Sequence, residues 1–133
     1  MEISDMTKRD ARVMAMQILY ASDFNNVTID EAIKYYDETP VDPLALKYVK
    51  GIEANLEKID DIISKSLVNY TISRLNLVDK AIIRLATYEL LNNVDKKIVI
   101  NEALEITKEY SDQGDHKAVG FNNKLLDNIS KNI

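Results

Sequence analysis

The stretch that decides the fold is Arg74–Tyr110, which reads RLNLVDKAIIRLATYELLNNVDKKIVINEALEITKEY. Two helical patterns follow each other in it, separated by a short polar break at Asn92 and Asn93. Apolar residues of the first pattern recur at intervals of three and four, which places them on one helix face: Val78, Ala81, Ile82, Leu85 and Ala86. The second pattern groups four residues in the same way: Ile100, Ala103, Thr107 and Tyr110. The stretch therefore predicts an antiparallel helical hairpin with one apolar seam.

The composition of the 133-residue chain bounds the class of protein. Hydrophobic residues make up 46% and charged residues 29%, as in a globular protein, and the length suits one domain. Three glycines and two prolines are few, which favours helices over a turn-rich β fold. No apolar run approaches the roughly 20 residues of a membrane helix, and the opening MEISDMTKRD lacks the apolar core of a signal peptide. We therefore expect a cytoplasmic protein without membrane contact.

Two helices are predicted before residue 40. Met1–Met6 is expected to be frayed. Thr7 is a plausible N-cap of a helix that runs to about Asp23, and Thr28 of a short helix that runs to about Asp37.

Two more helices are predicted before the hairpin. Asp42 followed by Pro43 is a strong helix start, and this third helix runs to about Asn55. A fourth helix covers about Leu56–Asn69, and its continuity with the third is left open. Gly51 inside the third helix costs about 1 kcal/mol relative to alanine, so we expect it to mark a close contact with another helix.

After the hairpin, a polar loop over Ser111–Asp115 precedes a last helix that contains Leu125, Leu126 and Ile129. The sequence therefore predicts an all-α fold with about seven helices in a single compact domain.

No motif of an enzyme, a cofactor site or a metal site is found. The glycines are isolated, so phosphate-binding and dinucleotide-binding loops are absent, and there is no cysteine. His116 is the only histidine, which suits a capping or surface residue better than catalysis or zinc binding. Glu102 and Glu105 fall on the polar face of the second hairpin helix and indicate solvation. We expect a protein that is not an enzyme and uses neither cofactor nor metal.

Charge is distributed unevenly along the chain. The net charge of −5 argues against nucleic-acid binding by bulk electrostatics. Yet Lys8, Arg9 and Arg12 cluster at the start of the first helix, with Asp10 among them. Cations there oppose the helix macrodipole by ~0.3–1 kcal/mol each. The cluster is either a solvated basic edge or a functional surface.

The hairpin residues also carry a family resemblance. RLNLVDKAIIRLATYEL, followed about seven residues later by IVINEALEITK, resembles the signature of the NusB family of bacterial transcription antitermination factors. KRDAR followed by ILY is similar to the short arginine-rich opening of that family, which lies against RNA. Asp10 departs from the pattern, because the family often has a basic residue at this position.

The C-terminal segment resembles the family more loosely. His116-Lys117 and the later FNNKLLD are similar to a motif in which His-Lys is followed at once by Phe-Val-Asn-Gly-Val-Leu-Asp. Here Ala118–Gly120 separates the two parts like a three-residue insertion. Phe121 has two open interpretations: it stacks on a nucleobase, a contact worth ~1–3 kcal/mol, or it belongs to the core.

The resemblance implies two helical subdomains, at about residues 1–67 and 68–133, and binding to boxA RNA in ribosomal RNA leader transcripts. The implied protein partner is the ribosomal protein NusE, and the implied setting is an antitermination complex with RNA polymerase. The residues that it implies for RNA contact are Lys8, Arg9, Arg12, His116, Lys117, Phe121 and Asn123.

Asp79 and Arg84 are the candidates for the partner surface, although Arg84 is equally compatible with an internal salt bridge to Glu89 or to a neighbouring helix. The alternative function is a non-enzymatic helical protein-interaction domain without RNA contact, and an enzyme comes third. The resemblance leaves monomer and homodimer both open.

Overall fold

The described part of the chain, residues 7–36 and 40–133 of a computed structural model, is built from helices. Seven α-helices and one 3-10 turn at Ile72–Arg74 form its regular structure, which confirms the predicted all-α fold. The α-helices are α1 Lys8–Asn25, α2 Ile29–Lys34, α3 Pro43–Ala54, α4 Leu56–Ser66, α5 Leu77–Leu91, α6 Lys96–Tyr110 and α7 Lys117–Lys131. The predictions for Met1–Met6 and for a helix end near Asp37 lie outside the described residues.

Capping boxes define the starts of the first two helices. Thr7 Oγ1 accepts a hydrogen bond from the backbone N of Asp10 at 3.0 Å, and Asp10 Oδ2 accepts from the backbone N of Thr7 at 3.4 Å. Thr28 and Glu31 form the same reciprocal pair at the start of α2. Both predicted caps are confirmed. Asp10, which departs from the family pattern, also places a negative charge in the first turn, where it suits the macrodipole.

The third and fourth helices are separate. Asp42 accepts hydrogen bonds from two backbone N–H groups of the first turn of α3, and Pro43 occupies its first position, as predicted. The helix stops at Asn55, and α4 starts at the next residue. Helix α4 ends at Ser66, three residues before the predicted end, because Leu67 has an extended backbone (φ −77°, ψ 140°). The left-handed backbone of Asn69 (φ 54°) is also incompatible with a helix that continues to that residue.

Helix α5 is the centre of the fold. It packs against α1, α3, α4, α6 and α7, so it is surrounded on most sides. Of the predicted seam residues, Ala81, Ile82, Leu85 and Ala86 are buried, and Val78 is partly buried against the core. Ile83 and Thr87, on other sides of the helix, are also buried, so the hairpin has more than the one apolar seam that the spacing predicted.

The buried apolar side chains form one connected core that draws on all seven helices. Because α5 contacts helices from both halves of the chain, the core crosses the boundary expected near residue 67. The division into two subdomains stays a prediction. No helix among the described residues combines the length and the hydrophobicity that crossing a membrane requires.

Gly51 marks the close helix contact that the sequence predicted. A β-carbon added at Gly51 would overlap the phenol ring of Tyr88 on α5. Tyr88 in turn packs edge-on against Tyr48 of α3, with ring centroids 6.3 Å apart. The glycine therefore lets α3 approach α5 as closely as the tyrosine ring allows.

We predict that Gly51→Ala lowers the free energy of unfolding by about 1–3 kcal/mol, because overpacking against Tyr88 outweighs the better helix propensity of alanine. Gly120→Ala is the matched control: Gly120 is also helical, but open space surrounds it. That variant should gain up to about 1 kcal/mol. Urea unfolding followed by circular dichroism measures both, and equal effects of the two substitutions would contradict a packing constraint at Gly51.

Candidate nucleic-acid interface

Arg9 lies at the start of α1 and is held by α6. Its Nε and Nη2 donate to the two carboxylate oxygens of Glu102 at 2.8 and 2.9 Å. The Arg9 side chain remains 48% exposed, whereas that of Glu102 is only 18% exposed. These hydrogen bonds and the positive charge of Arg9 lower the pKa of Glu102. Glu102 therefore faces α1, and the prediction that it serves solvation is wrong.

Arg12, one turn further along α1, is buried. Its Nε and Nη2 donate to Glu89 of α5 at 2.8 and 2.9 Å, and Tyr48 Oη donates to the same carboxylate at 3.1 Å. Only 5% of Arg12 and 3% of Glu89 are exposed. Burial alone lowers the pKa of Arg12, but the hydrogen bonds and charge of Glu89 outweigh it and raise that pKa. In this conformation Arg12 joins α1 to α5. Its Nε and Nη2 groups are both engaged by Glu89, so this pair of donors is not available to an outside ligand.

Arg12→Ala should destabilise the protein by about 3–5 kcal/mol, because it leaves the Glu89 carboxylate buried without its counter-charge. Arg9→Ala is the matched control and should cost much less, because solvent reaches that pair. Urea unfolding at pH 7 measures both variants. Similar losses in the two would show that Arg12 is not the buried partner of Glu89.

The contribution of Tyr48, which belongs to the same cluster, to the stability of the fold depends on pH. Burial and the nearby negative charge of Glu89 raise the pKa of Tyr48 to about 12, against about 10 in an unfolded chain. Between these two values the folded protein keeps a proton that the unfolded chain releases, so stability falls as the pH rises.

We predict that Tyr48→Phe loses less stability than the wild type between pH 9 and pH 11.5, because phenylalanine has no proton to lose. Tyr35→Phe is the control: Tyr35 is 81% exposed and should follow the wild-type curve. Unfolding curves at several pH values provide the measurement, and a Tyr48→Phe curve parallel to the wild type would refute the assignment.

Helix α7 incorporates the apparent insertion. The helix begins at Lys117, so Ala118–Gly120 forms part of its first turn. His116 precedes it with a left-handed backbone (φ 61°), and its exposed ring lies 3.7 Å from an Asp112 carboxylate oxygen. Asp115 accepts a hydrogen bond from the backbone N of Lys117 at 3.1 Å. Ala118–Gly120 therefore lie within α7, and His116 and Lys117 are exposed at its start.

Phe121 lies at the edge of the core. The residue is 39% exposed, and its ring packs against Tyr70 with centroids 5.2 Å apart. The guanidinium carbon of Arg74 lies 4.3 Å from the centroid of Tyr70, which extends the stack. Asn123 and Lys124 are exposed beside it. Phe121 therefore combines a packed side with an open one.

Asp79, predicted for the partner surface, points into the protein. Its Oδ1 accepts from Ser111 Oγ at 2.6 Å and from Asn122 Nδ2 at 3.1 Å, and its Oδ2 accepts from Asn76 Nδ2 at 2.8 Å. Only 7% of the residue is exposed. The expectation of a surface carboxylate is corrected here, because these donors hold the group inside.

Arg84, the other candidate for the partner surface, also makes internal contacts. It donates to both carboxylate oxygens of Asp60 on α4 at 2.9 and 2.8 Å and to Asp23 on α1 at 3.0 Å. Its side chain is 12% exposed. The alternative of a salt bridge to a neighbouring helix is therefore observed, while Glu89 pairs with Arg12.

Comparison with known proteins identifies the family. A family model described as the NusB family matches residues 9–131. The chain belongs to the NusB family. It is 40% identical over 135 residues to the transcription antitermination protein NusB of Clostridium botulinum, covering 95% of this chain and 99% of that protein. The corresponding protein of Bacillus subtilis is 37% identical over 131 residues, with coverages of 96% and 98%.

Solved NusB structures share the fold. T. maritima NusB superposes with a TM-score of 0.83 at 31% identity, covering 96% of this chain and 93% of that one. A chain in a crystal structure of antitermination factors NusB and NusE in complex with double-stranded RNA gives a TM-score of 0.77 at 28% identity, with coverages of 95% and 97%. Membership of a NusB family of transcription antitermination proteins confirms the resemblance and the prediction that the chain is not an enzyme.

Sequence reasoning missed two polar residues of this NusB-family fold. The spacing places Glu102 on a polar face, but helical spacing alone does not show which neighbouring helix a polar side chain contacts. Asn122 is fully buried and donates to Asp79 and to Thr107 Oγ1. It stands where the family motif has valine, and an amide at a core position was the available signal for a buried polar network.

Proposed function

We propose that this chain is a transcription antitermination factor that binds boxA-type RNA in ribosomal RNA leader transcripts together with ribosomal protein NusE. The observation that carries the proposal is the likeness, over 95% of the chain, to a protein solved in complex with NusE and RNA. We further propose that the pair joins an antitermination complex of RNA polymerase and acts in the cytoplasm.

For the RNA surface we propose the exposed residues at the starts of α1 and α7. Lys8 and Lys117 are exposed, and no ion pair joins either of them to another residue in the described ranges. Both are available to phosphate at the first residue of their helices, and Arg9 reaches solvent beside Lys8. Phe121 and Asn123 would face bases, and His116 the backbone, while Arg12 would act from inside by holding α1 in place.

Electrostatics support a shared task with NusE. With a net charge of −5, and with Arg9 and Arg12 both paired to glutamates, the chain has little free positive charge at α1. Much of the RNA affinity must then come from a basic partner, which the acidic chain would attract. We propose that Asp79 and Arg84 act on the partner surface indirectly. Asp79 fixes α5 against α7, and Arg84 fixes it against α4 and α1, so these neighbouring helices would carry the exposed contacts.

The same ion pairs favour one second candidate, a protein-interaction domain without RNA contact, because a paired arginine contributes less to phosphate binding. That candidate would be supported if the chain bound its protein partner but did not raise the partner's affinity for RNA.

We predict that the chain alone binds a boxA-type RNA weakly and that NusE raises the affinity at least tenfold. Filter binding at several salt concentrations tests this, and equal affinity with and without NusE would refute the cooperative proposal. Size-exclusion chromatography at two protein concentrations accompanies the measurement, because a homodimer would change which residues are free to meet RNA.

Lys8→Ala combined with Lys117→Ala should weaken RNA binding and reduce the slope of log K against log salt by about 1.4, since each single-strand phosphate contact contributes about 0.7. Lys58→Ala is the control, because Lys58 is an exposed lysine of α4 without an ion pair in the described part of the chain. An unchanged slope in the double variant would place the RNA surface elsewhere.

A further inference from the structure

Glu102 occupies the binding fork of the one arginine that reaches solvent at the start of α1. Both of its carboxylate oxygens accept from Arg9, at 2.8 and 2.9 Å. The planar arrangement of two parallel N–H···O bonds is the one that a guanidinium uses to bind a phosphate. The carboxylate thus fills the place that an RNA phosphate would need.

The position of Glu102 also distinguishes it from Glu89. Glu102 Oε1 lies 3.7 Å from Arg12 Nη1, so this single carboxylate neutralises the outer side of both arginines. The Arg12–Glu89 pair is buried on both sides, and an incoming anion cannot reach it. Arg9 is half-exposed, so its pair with Glu102 is the one that an outside anion can exchange.

The surroundings of Arg9 add to this effect. Glu105 and Glu109, further along α6, also act on Arg9 through their charges. A phosphate that approaches Arg9 therefore has to displace one anion and come close to two others. The gain from a new Arg–phosphate contact is reduced by the loss of the Arg–carboxylate contact that it replaces.

We propose that Glu102 is a positioning residue that competes with RNA phosphate for Arg9 and so lowers the affinity with which the chain, alone or with NusE, binds RNA. The inference rests on the proposed RNA-binding function. In the free protein Glu102 keeps Arg9 occupied. In the RNA complex the guanidinium rotates away from Glu102 and donates to a phosphate, while Arg12 remains with Glu89.

The test is Glu102→Gln, measured by fluorescence anisotropy with a boxA-type RNA oligonucleotide in the presence of NusE. Glutamine keeps the size of the side chain and removes its charge. We expect the affinity to rise about threefold to tenfold while the slope of log K against log salt stays near that of the wild type, because Arg9 contacts the same phosphate in both complexes and only the competing carboxylate is removed. Glu57→Gln is the control: it makes the same charge change at an exposed residue of α4 that has no ion pair with any described residue, and it should leave both quantities near the wild type.

A double variant separates action through Arg9 from a general charge effect. In an Arg9→Ala background, Glu102→Gln should no longer raise the affinity, because the group that it releases is missing. An unchanged or lower affinity of the single variant, or the same rise with and without Arg9, would overturn the inference.

Glu102→Asp provides a second variant, since the carboxylate retreats by one methylene and keeps its charge. It should raise the affinity less than Glu102→Gln. Urea unfolding verifies that each variant is folded, and if the glutamine variant does not fold, the aspartate variant decides: no rise in affinity then overturns the inference.

The wild type in the same assay separates the two proposals. If it does not prefer the boxA-type RNA over an unrelated RNA when NusE is present, the proposed function fails and this inference falls with it. If it does prefer that RNA but Glu102→Gln changes nothing, only the competition by Glu102 is refuted.

Discussion

The buried ion pair between Arg12 and Glu89 fixes how the N-terminal helix lies on the rest of the fold. Moving two charges out of water costs several kcal/mol per ion, so the pair is tolerable only where its hydrogen bonds are complete. Two guanidinium–carboxylate bonds and the Tyr48 hydroxyl meet that condition. A rotation of α1 by one residue, about 100°, would break all of them. The same constraint places Arg9, three residues earlier on that face, against Glu102 of α6.

Helix α5 is anchored to its neighbours by charged side chains at several points along its length. Besides Glu89 it carries Asp79 near its start and Arg84 in its middle, and each of the three joins a different set of elements. Asp79 connects to α7 and to the loop before it through Asn122 and Ser111. Arg84 bridges α4 and α1. An apolar seam alone tolerates sliding, whereas three charged anchors at fixed intervals specify one register.

Short-range sequence signals predicted where the helices begin and where they approach closely, whereas the roles of the arginines depend on partners that are distant in the chain. Thr7 as a cap and Gly51 as a close contact follow from rules that act within a few residues or on the cost of a single glycine. The sequence groups Arg12 with a basic cluster, because nothing near it in the chain indicates its partner Glu89, which is 77 positions away. The spacing along α1 does indicate that Arg12 is buried: it precedes the buried Met16 by four residues and therefore lies on the core side of the helix.

The pairing of Arg9 and Arg12 with carboxylates of the same chain affects how this protein binds a polyanion such as RNA. Two of the three cations at the start of α1 are paired with glutamates of the chain. Lys8 is the third, and it has no ion pair with any described residue. Long-range attraction of RNA to this helix is therefore weak, in keeping with the net charge of −5. Binding then depends on contacts that form at short range, where an exposed pair such as Arg9–Glu102 can open and a buried one cannot. On the competition proposed above for Glu102, an RNA that a partner protein already holds close would displace the carboxylate more readily than free RNA, so this surface would discriminate against RNA in general.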